Sequence, residues 1–173
     1  SLESAREWVN SLDANMGGTE ILAPIKFVYN SADFKNKTDV ILITDGEVGN
    51  QKEIFDFVIK QSKVISFFTI GVGYGADEYL LRNLADISGG SFETIHPDQN
   101  MEPIVNRQFM RTGMPFGNEI IFKWDIEGKE FIETKKQRVF AGESIHFYSY
   151  FSIKPGNSLK VSINFEGKSG LEY

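Results

Sequence analysis

Two oxygen-bearing side chains stand where a ligand crevice would form. Asp45 closes the run Asp39-Val-Ile-Leu-Ile-Thr-Asp-Gly46, and Thr19 follows the pair Gly17-Gly18. A carboxylate and a hydroxyl are hard donors suited to magnesium, manganese or calcium, and glycine beside each lets the backbone come close to a bound ion. Magnesium takes about six oxygens, so two are too few and further protein ligands are required. The same side chains would serve equally to cap helices or shape turns. Asp45 as the covalent nucleophile of a phosphoryl-transfer enzyme would need partners such as Asp13, Glu47 and Lys52, which fit by type but which no spacing selects. Gly71-Val-Gly-Tyr-Gly-Ala76 matches the G-x-G-x-x-A pattern of a dinucleotide-binding turn, with Glu93 about 20 residues on. Glycines that let the chain turn sharply and a helix pack closely explain it as well. His96 and His146 fall in separate strand-like segments, which suits partly buried polar residues better than a catalytic base.

The elements that must position these groups follow from hydrophobic spacing. Leu2, Ala5, Trp8, Val9 and Leu12 recur at three and four residues, which predicts an amphipathic helix over Ser1 to Ala14 with a core-facing stripe. A second helix is expected from Glu20 to Tyr29, with Pro24 in its first turn. Val40-Ile-Leu-Ile43 has no polar alternation and reads as a central strand covered on both faces. Gln51 to Ser62 is helical through Ile54, Phe55, Val58 and Ile59, capped by Asn50, and Val64 to Val72 is a second buried strand. Ala76 to Ser88 is helical through Tyr79, Leu80, Leu84 and Ile87 and stops at Gly89-Gly90. A strand at Ser91 to His96 and a helix at Met101 to Arg111 complete an alternating series, the pattern of an open α/β layer whose ligands lie beyond the carboxyl ends of the strands.

After Gly113 the pattern changes. Ile120 to Ile126, Glu130 to Thr134, Glu143 to Ile153 and Leu159 to Phe165 read as strands separated by turns, an antiparallel module of β-sandwich type. The expected division is therefore 1–113 and 114–173. Charge divides there too: the first part holds 16 acidic and 10 basic residues, the second 8 of each. Phe109, Met110, Met114 and Phe116 cluster at the boundary, as glue between the layers or as a binding patch. Trp8 and Trp124 read as core anchors, and Lys135-Lys136-Gln-Arg138 as a solvated turn or an edge-strand guard. A net charge of -6 argues against nucleic acid as a partner, no apolar run is long enough for a membrane span, and the absence of cysteine excludes thiol chemistry while leaving the compartment open. The opening at Ser1 without methionine suggests a portion of a longer protein.

Leu12-Asp-Ala-Asn-Met-Gly-Gly-Thr-Glu-Ile-Leu22 and Val40-Ile-Leu-Ile-Thr-Asp-Gly-Glu-Val-Gly-Asn50 resemble the second and third metal-site motifs of von Willebrand factor A domains. The subgroup most similar is that of the inter-α-trypsin-inhibitor heavy chains and their bacterial relatives. Phe68-Thr-Ile-Gly-Val-Gly73 and Tyr79-Leu-Leu-Arg-Asn-Leu-Ala85 extend the resemblance over roughly Ser1 to Arg111. It implies a partial doubly wound α/β sheet and a metal-ion-dependent adhesion site holding magnesium, manganese or calcium. Thr19 and Asp45 would be that site's threonine and last aspartate, and the ion would accept a carboxylate from a protein partner. It implies adhesion rather than catalysis, in an extracellular or cell-envelope setting. The family's first motif, Asp-x-Ser-x-Ser, occurs nowhere in the 173 residues. The site is thus expected to be incomplete and to bind metal weakly, leaving a metal-independent assembly scaffold as the alternative function. In the family the strand bearing that motif lies beside Val40 to Thr44. Its absence predicts an open edge that a second copy, a separate amino-terminal half or the β module would cover.

Overall fold

The structure, a computed structural model, describes residues 2–13, 17–32, 37–61, 64–114, 116–126, 129–135, 138–144, 146, 148, 150 and 159–167. Strands β1 (Thr38–Thr44), β2 (Ile65–Val72) and β3 (Ser91–Ile95) form a parallel sheet in that order, with helices α2 (Leu22–Ser31), α3 (Gln51–Lys60), α4 (Glu78–Ser88) and α5 (Met101–Arg111) before, between and after them. This is the alternating α/β layer that the spacing predicts.

The covered middle of the sheet is β2, not β1. Seven of the eight β2 residues are buried, and Ile65 and Phe67 pack with Ile25 and Tyr29 of α2, Ile54 and Val58 of α3, and Leu80 and Leu84 of α4. The unalternating aliphatic residues of β1 predict a central strand. It lies at the edge of the sheet instead, mostly half-buried, with Ile43 52% exposed. An aliphatic run reports the burial a strand is suited to, and which strands flank it is a separate matter.

Helix α1 (Leu2–Asn10) departs further from expectation. None of its nine residues is buried; Trp8 is 64% exposed and Leu2 88%, so the apolar stripe faces no core and Trp8 is not an anchor. Tyr79 also leaves the α4 stripe: it is 64% exposed, edge-on to Phe55. Asn50 sits at the α3 N-terminus without a side-chain cap bond. At the other end of α4 the sequence rule holds, since Gly89 adopts φ 78° and its N–H bonds Ala85 C=O. Gly90 must be glycine for a different reason: a Cβ there would overlap the Phe67 carbonyl, where the chain entering β3 passes against β2.

Helix α5 docks on the sheet by polar contacts. Its buried residue is Gln108, which donates to Thr69 C=O at 3.1 Å and Ser91 C=O at 3.2 Å and accepts from the Ser91 hydroxyl. Phe109 and Met110 on the same helix are 63% and 58% exposed, so half of the expected boundary cluster is not glue. Phe116 does join the layers: its ring lies 5.9 Å from Phe140, whose ring is 6.1 Å from Phe68 of β2.

The second sheet is antiparallel. β4 (Phe116–Ile126) pairs with β5 (Lys129–Lys135) and, at its start, β6 (Val139–Phe140) on one side and with β7 (Leu159–Gly167) on the other. Ile120, Phe122 and Trp124 are its buried row, which makes Trp124 the anchor expected. The expected strand Glu143 to Ile153 is not a strand in residues 143, 144, 146, 148 and 150, and the rest of it lies outside the described residues. One sheet rather than a sandwich is therefore seen among the described residues. Arg138, expected on a solvated turn, is instead half-buried over the Phe116 ring at 3.7 Å and against Gly89. Burial lowers its pKa to about 10, with Asp39 opposing that shift.

Candidate metal half-site at the carboxyl edge of the parallel sheet

Asp45 follows the last residue of β1, where the ladder with β2 ends and the chain turns. Gly46 makes the turn, and its N–H bonds the Thr44 hydroxyl at 3.3 Å. A Cβ on Gly46 would overlap the Thr19 hydroxyl, so Thr19 and the Asp45-Gly46 turn touch across the loop that precedes α2. These are the two positions that residue type and adjacent glycines single out, and the structure brings them together with both residues exposed to solvent. Glu20 next to Thr19 accepts from Leu22 and Ala23 N–H, so it caps α2 and is not available as a further ligand there.

The turn is held from the other side by the loop between β2 and α4. Gly75 packs so close to Asp45 that a Cβ would stand 3.1 Å from the Asp45 carbonyl, and Asp77 N–H reaches Gly46 C=O at 3.4 Å. Asp77 is the hub. Its buried carboxylate accepts from Leu80 N–H as the α4 cap and from the Gln51 side chain of α3. This anion at a helix N-terminus is favourably placed and spent on structure. Periodicity does not single it out, although the Asp-x-x-Leu start of an apolar helical run is the available signal.

These contacts also account for Gly71-Val-Gly-Tyr-Gly-Ala76. Gly71 admits Ala76 and Leu81, and a Cβ at Gly71 would stand only 3.0 Å from that of Ala76; Gly73 takes φ 74°; Gly75 meets Asp45. Glu93, the acid a dinucleotide ribose would require, is engaged by Arg107 at 2.7 Å and Arg111 at 2.8 Å. Burial alone would raise the Glu93 carboxyl, but the two guanidiniums outweigh it and hold it below the usual carboxylate range. His96 stacks on Tyr74 with centroids 5.5 Å apart, while His146 is exposed in the second module. Asp13, Glu47 and Lys52 are exposed, and among the described residues no group of three or more His, Cys, Asp or Glu side chains could hold a metal ion. The Thr19 hydroxyl lies against the Asp45-Gly46 turn, and a cation wants more oxygens than these two residues carry.

The family model of the von Willebrand factor type A domain matches residues 1–94. The chain belongs to the von Willebrand factor type A family. It is 28% identical to a von Willebrand factor A domain-containing protein of Dictyostelium discoideum over 179 aligned positions, covering 100% of this chain and 20% of that protein. It is also 28% identical to von Willebrand factor A domain-containing protein 5A of Rattus norvegicus, covering 86% of this chain and 19% of that one. The chain thus spans about a fifth of the length of these relatives. A solved structure, the ArnB paralog VWA2 from Sulfolobus acidocaldarius, aligns over 93% of this chain and 46% of its own at a TM-score of 0.45 and 17% identity. The Dictyostelium similarity runs past residue 94 through the second sheet, so that protein carries matching sequence there as well. Type A domains generally mediate protein interactions, and no described helix is long and apolar enough to cross a membrane.

Proposed function

We propose that this chain is a non-catalytic adhesion module in which Thr19 and Asp45 supply two oxygens of a divalent-cation site. The contact of the Thr19 hydroxyl with the Asp45-Gly46 turn carries the reading. One anion and one hydroxyl, both exposed at the carboxyl edge of a parallel sheet, match the chemistry of magnesium or manganese, with calcium tolerated by the open surroundings. They do not complete it. An Asp-x-Ser-x-Ser loop, which these 173 residues do not contain, would add the missing ligands, leaving one position for a carboxylate of the protein partner. The bound ion would supply Lewis acidity toward that carboxylate. Asp45 would offset its charge, Thr19 would orient, and Gly75 and Asp77 would keep the turn rigid.

The alternative, a metal-independent assembly scaffold, is favoured by a separate observation: β1 presents an unpaired edge among the described residues. Partner binding by the complete protein separates the two readings. Binding lost on chelation and in Asp45→Ala supports the metal site, whereas binding unchanged by both supports the scaffold.

A further inference from the structure

At the end of the parallel sheet opposite Asp45, the first residue of β2 and the last turns of α3 and α4 surround a cavity of about 340 Å³. That size is at the lower end of the range of small-molecule sites. Its inner wall is apolar, made by Val58, Ile65 and Tyr29, all buried in the core. Ile59 is 62% exposed and leaves the buried face that periodicity predicts for α3; it lines this cavity on the solvent side.

The polar groups of the cavity select one kind of occupant. Among the described residues Asp86 is the one charged side chain of the lining, and it is exposed. Both closing helix turns add the partial negative charge of a helix C-terminus, while Lys60, in the last turn of α3, lies outside the lining. Ser88 is spent on structure, accepting from Phe67 N–H at 2.9 Å and donating to Ala85 C=O at 3.3 Å. Tyr29 is not: it is 4% exposed, and neither its hydroxyl nor the Asp86 carboxylate has a hydrogen-bond or ion-pair partner among the described residues. A buried tyrosine hydroxyl ordinarily finds a partner. Burial pushes the Tyr29 phenol up, so it meets a ligand uncharged.

We propose that this cavity binds a small organic cation, a primary ammonium on a short apolar body, with the body against Val58, Ile59 and Ile65 and the ammonium paired with Asp86 and donating to the Tyr29 hydroxyl. An ammonium carries three donors and no acceptor, which suits a carboxylate and a phenol oxygen that are both unpartnered. An anion would meet Asp86 and two helix C-termini of its own sign. A neutral apolar molecule would fill the space and leave both polar groups unanswered. The site stands at the other end of the sheet from Thr19 and Asp45, so the inference is independent of the metal reading.

Phenethylammonium is the probe, with phenylacetate and 2-phenylethanol as anionic and neutral molecules of similar body. Titrated into the 173-residue chain at neutral pH and low salt, phenethylammonium should shift the backbone amide signals of residues 58–61 and 86–88 saturably. A ligand this small should show a Kd on the order of millimolar. The other two probes should bind at least about fivefold more weakly, the scale of an exposed ion pair, and Asp86→Asn should weaken phenethylammonium by the same factor. Tyr29→Phe keeps the ring that packs on Phe57 and Phe67 and should weaken it about threefold through the lost hydroxyl. No saturable shift well above millimolar concentration, shifts centred elsewhere, equal binding of all three probes, or binding unchanged in Asp86→Asn would overturn the proposal. Should Tyr29→Phe disturb the core, Asp86→Asn, at an exposed position, decides the matter.

Discussion

The residues that fix this molecule's geometry are largely polar and buried. Gln108 is fully buried and bonds the carbonyls of two adjacent strands, so its amide can be replaced by nothing of the same shape without loss. Gln108→Met should cost about 1–3 kcal/mol in chemical denaturation, the scale of a buried hydrogen-bonding group removed. Gln108→Glu should cost more at neutral pH, because a carboxylate would face two carbonyl oxygens, and the excess should shrink as the pH falls and protonation restores a donor. Glu93 behaves oppositely. Its carboxyl is held below the usual range by Arg107 and Arg111 against the opposing effect of burial, so the folded state favours the anion. The stability it contributes is present above an ordinary carboxylate pKa of about 4.3 and is lost as the pH falls through the lower folded value. Urea midpoints measured across that acid range should fall more steeply for the native chain than for Glu93→Gln, and parallel curves would contradict the pairing. Asp45 and Thr19 are legible from type and adjacent glycines. Gln108, Asp77 and Arg138 are not, because their roles depend on neighbours distant in sequence, such as Gln51 for Asp77 and Asp39 for Arg138.

Local periodicity reveals elements, and it says which face is apolar without saying what covers it. α3 and α4 bury the faces predicted, apart from Ile59 and Tyr79, which are 62% and 64% exposed, because β2 lies beneath them. α1 has the same kind of stripe and buries none of it among the described residues, as β1 has the aliphatic run of a central strand at an edge. A nine-residue helix that buries none of its residues is marginal on its own. Deleting residues 1–12 should therefore change the unfolding free energy by less than about 0.5 kcal/mol. A larger loss in thermal melting would mean that α1 is docked. Strands of the second sheet lie where Ile, Phe and Val alternate, but alternation does not tell that Val139–Phe140 pairs with β4. A two-residue strand carries too little pattern to be seen.

At the scale of the molecule, the two sheets meet through a mixed seam. Phe140 touches Phe68 and Phe116, Arg111 lies 5.3 Å over the Phe140 ring, and the same guanidinium bonds Glu93 in the first part and Glu143 in the second. Arg111 thus ties α5, β3 and the second module together. The carboxyl edge is left open, which is where a partner-binding module presents its site. If Thr19 and Asp45 form part of a cation site there, manganese should reveal it through paramagnetic broadening of backbone amide signals. Broadening is expected to centre on Gly18-Thr19 and Asp45-Gly46, with weak affinity on the order of millimolar, and to disappear in Asp45→Ala. Broadening centred elsewhere, or unchanged in Asp45→Ala, would rule the half-site out.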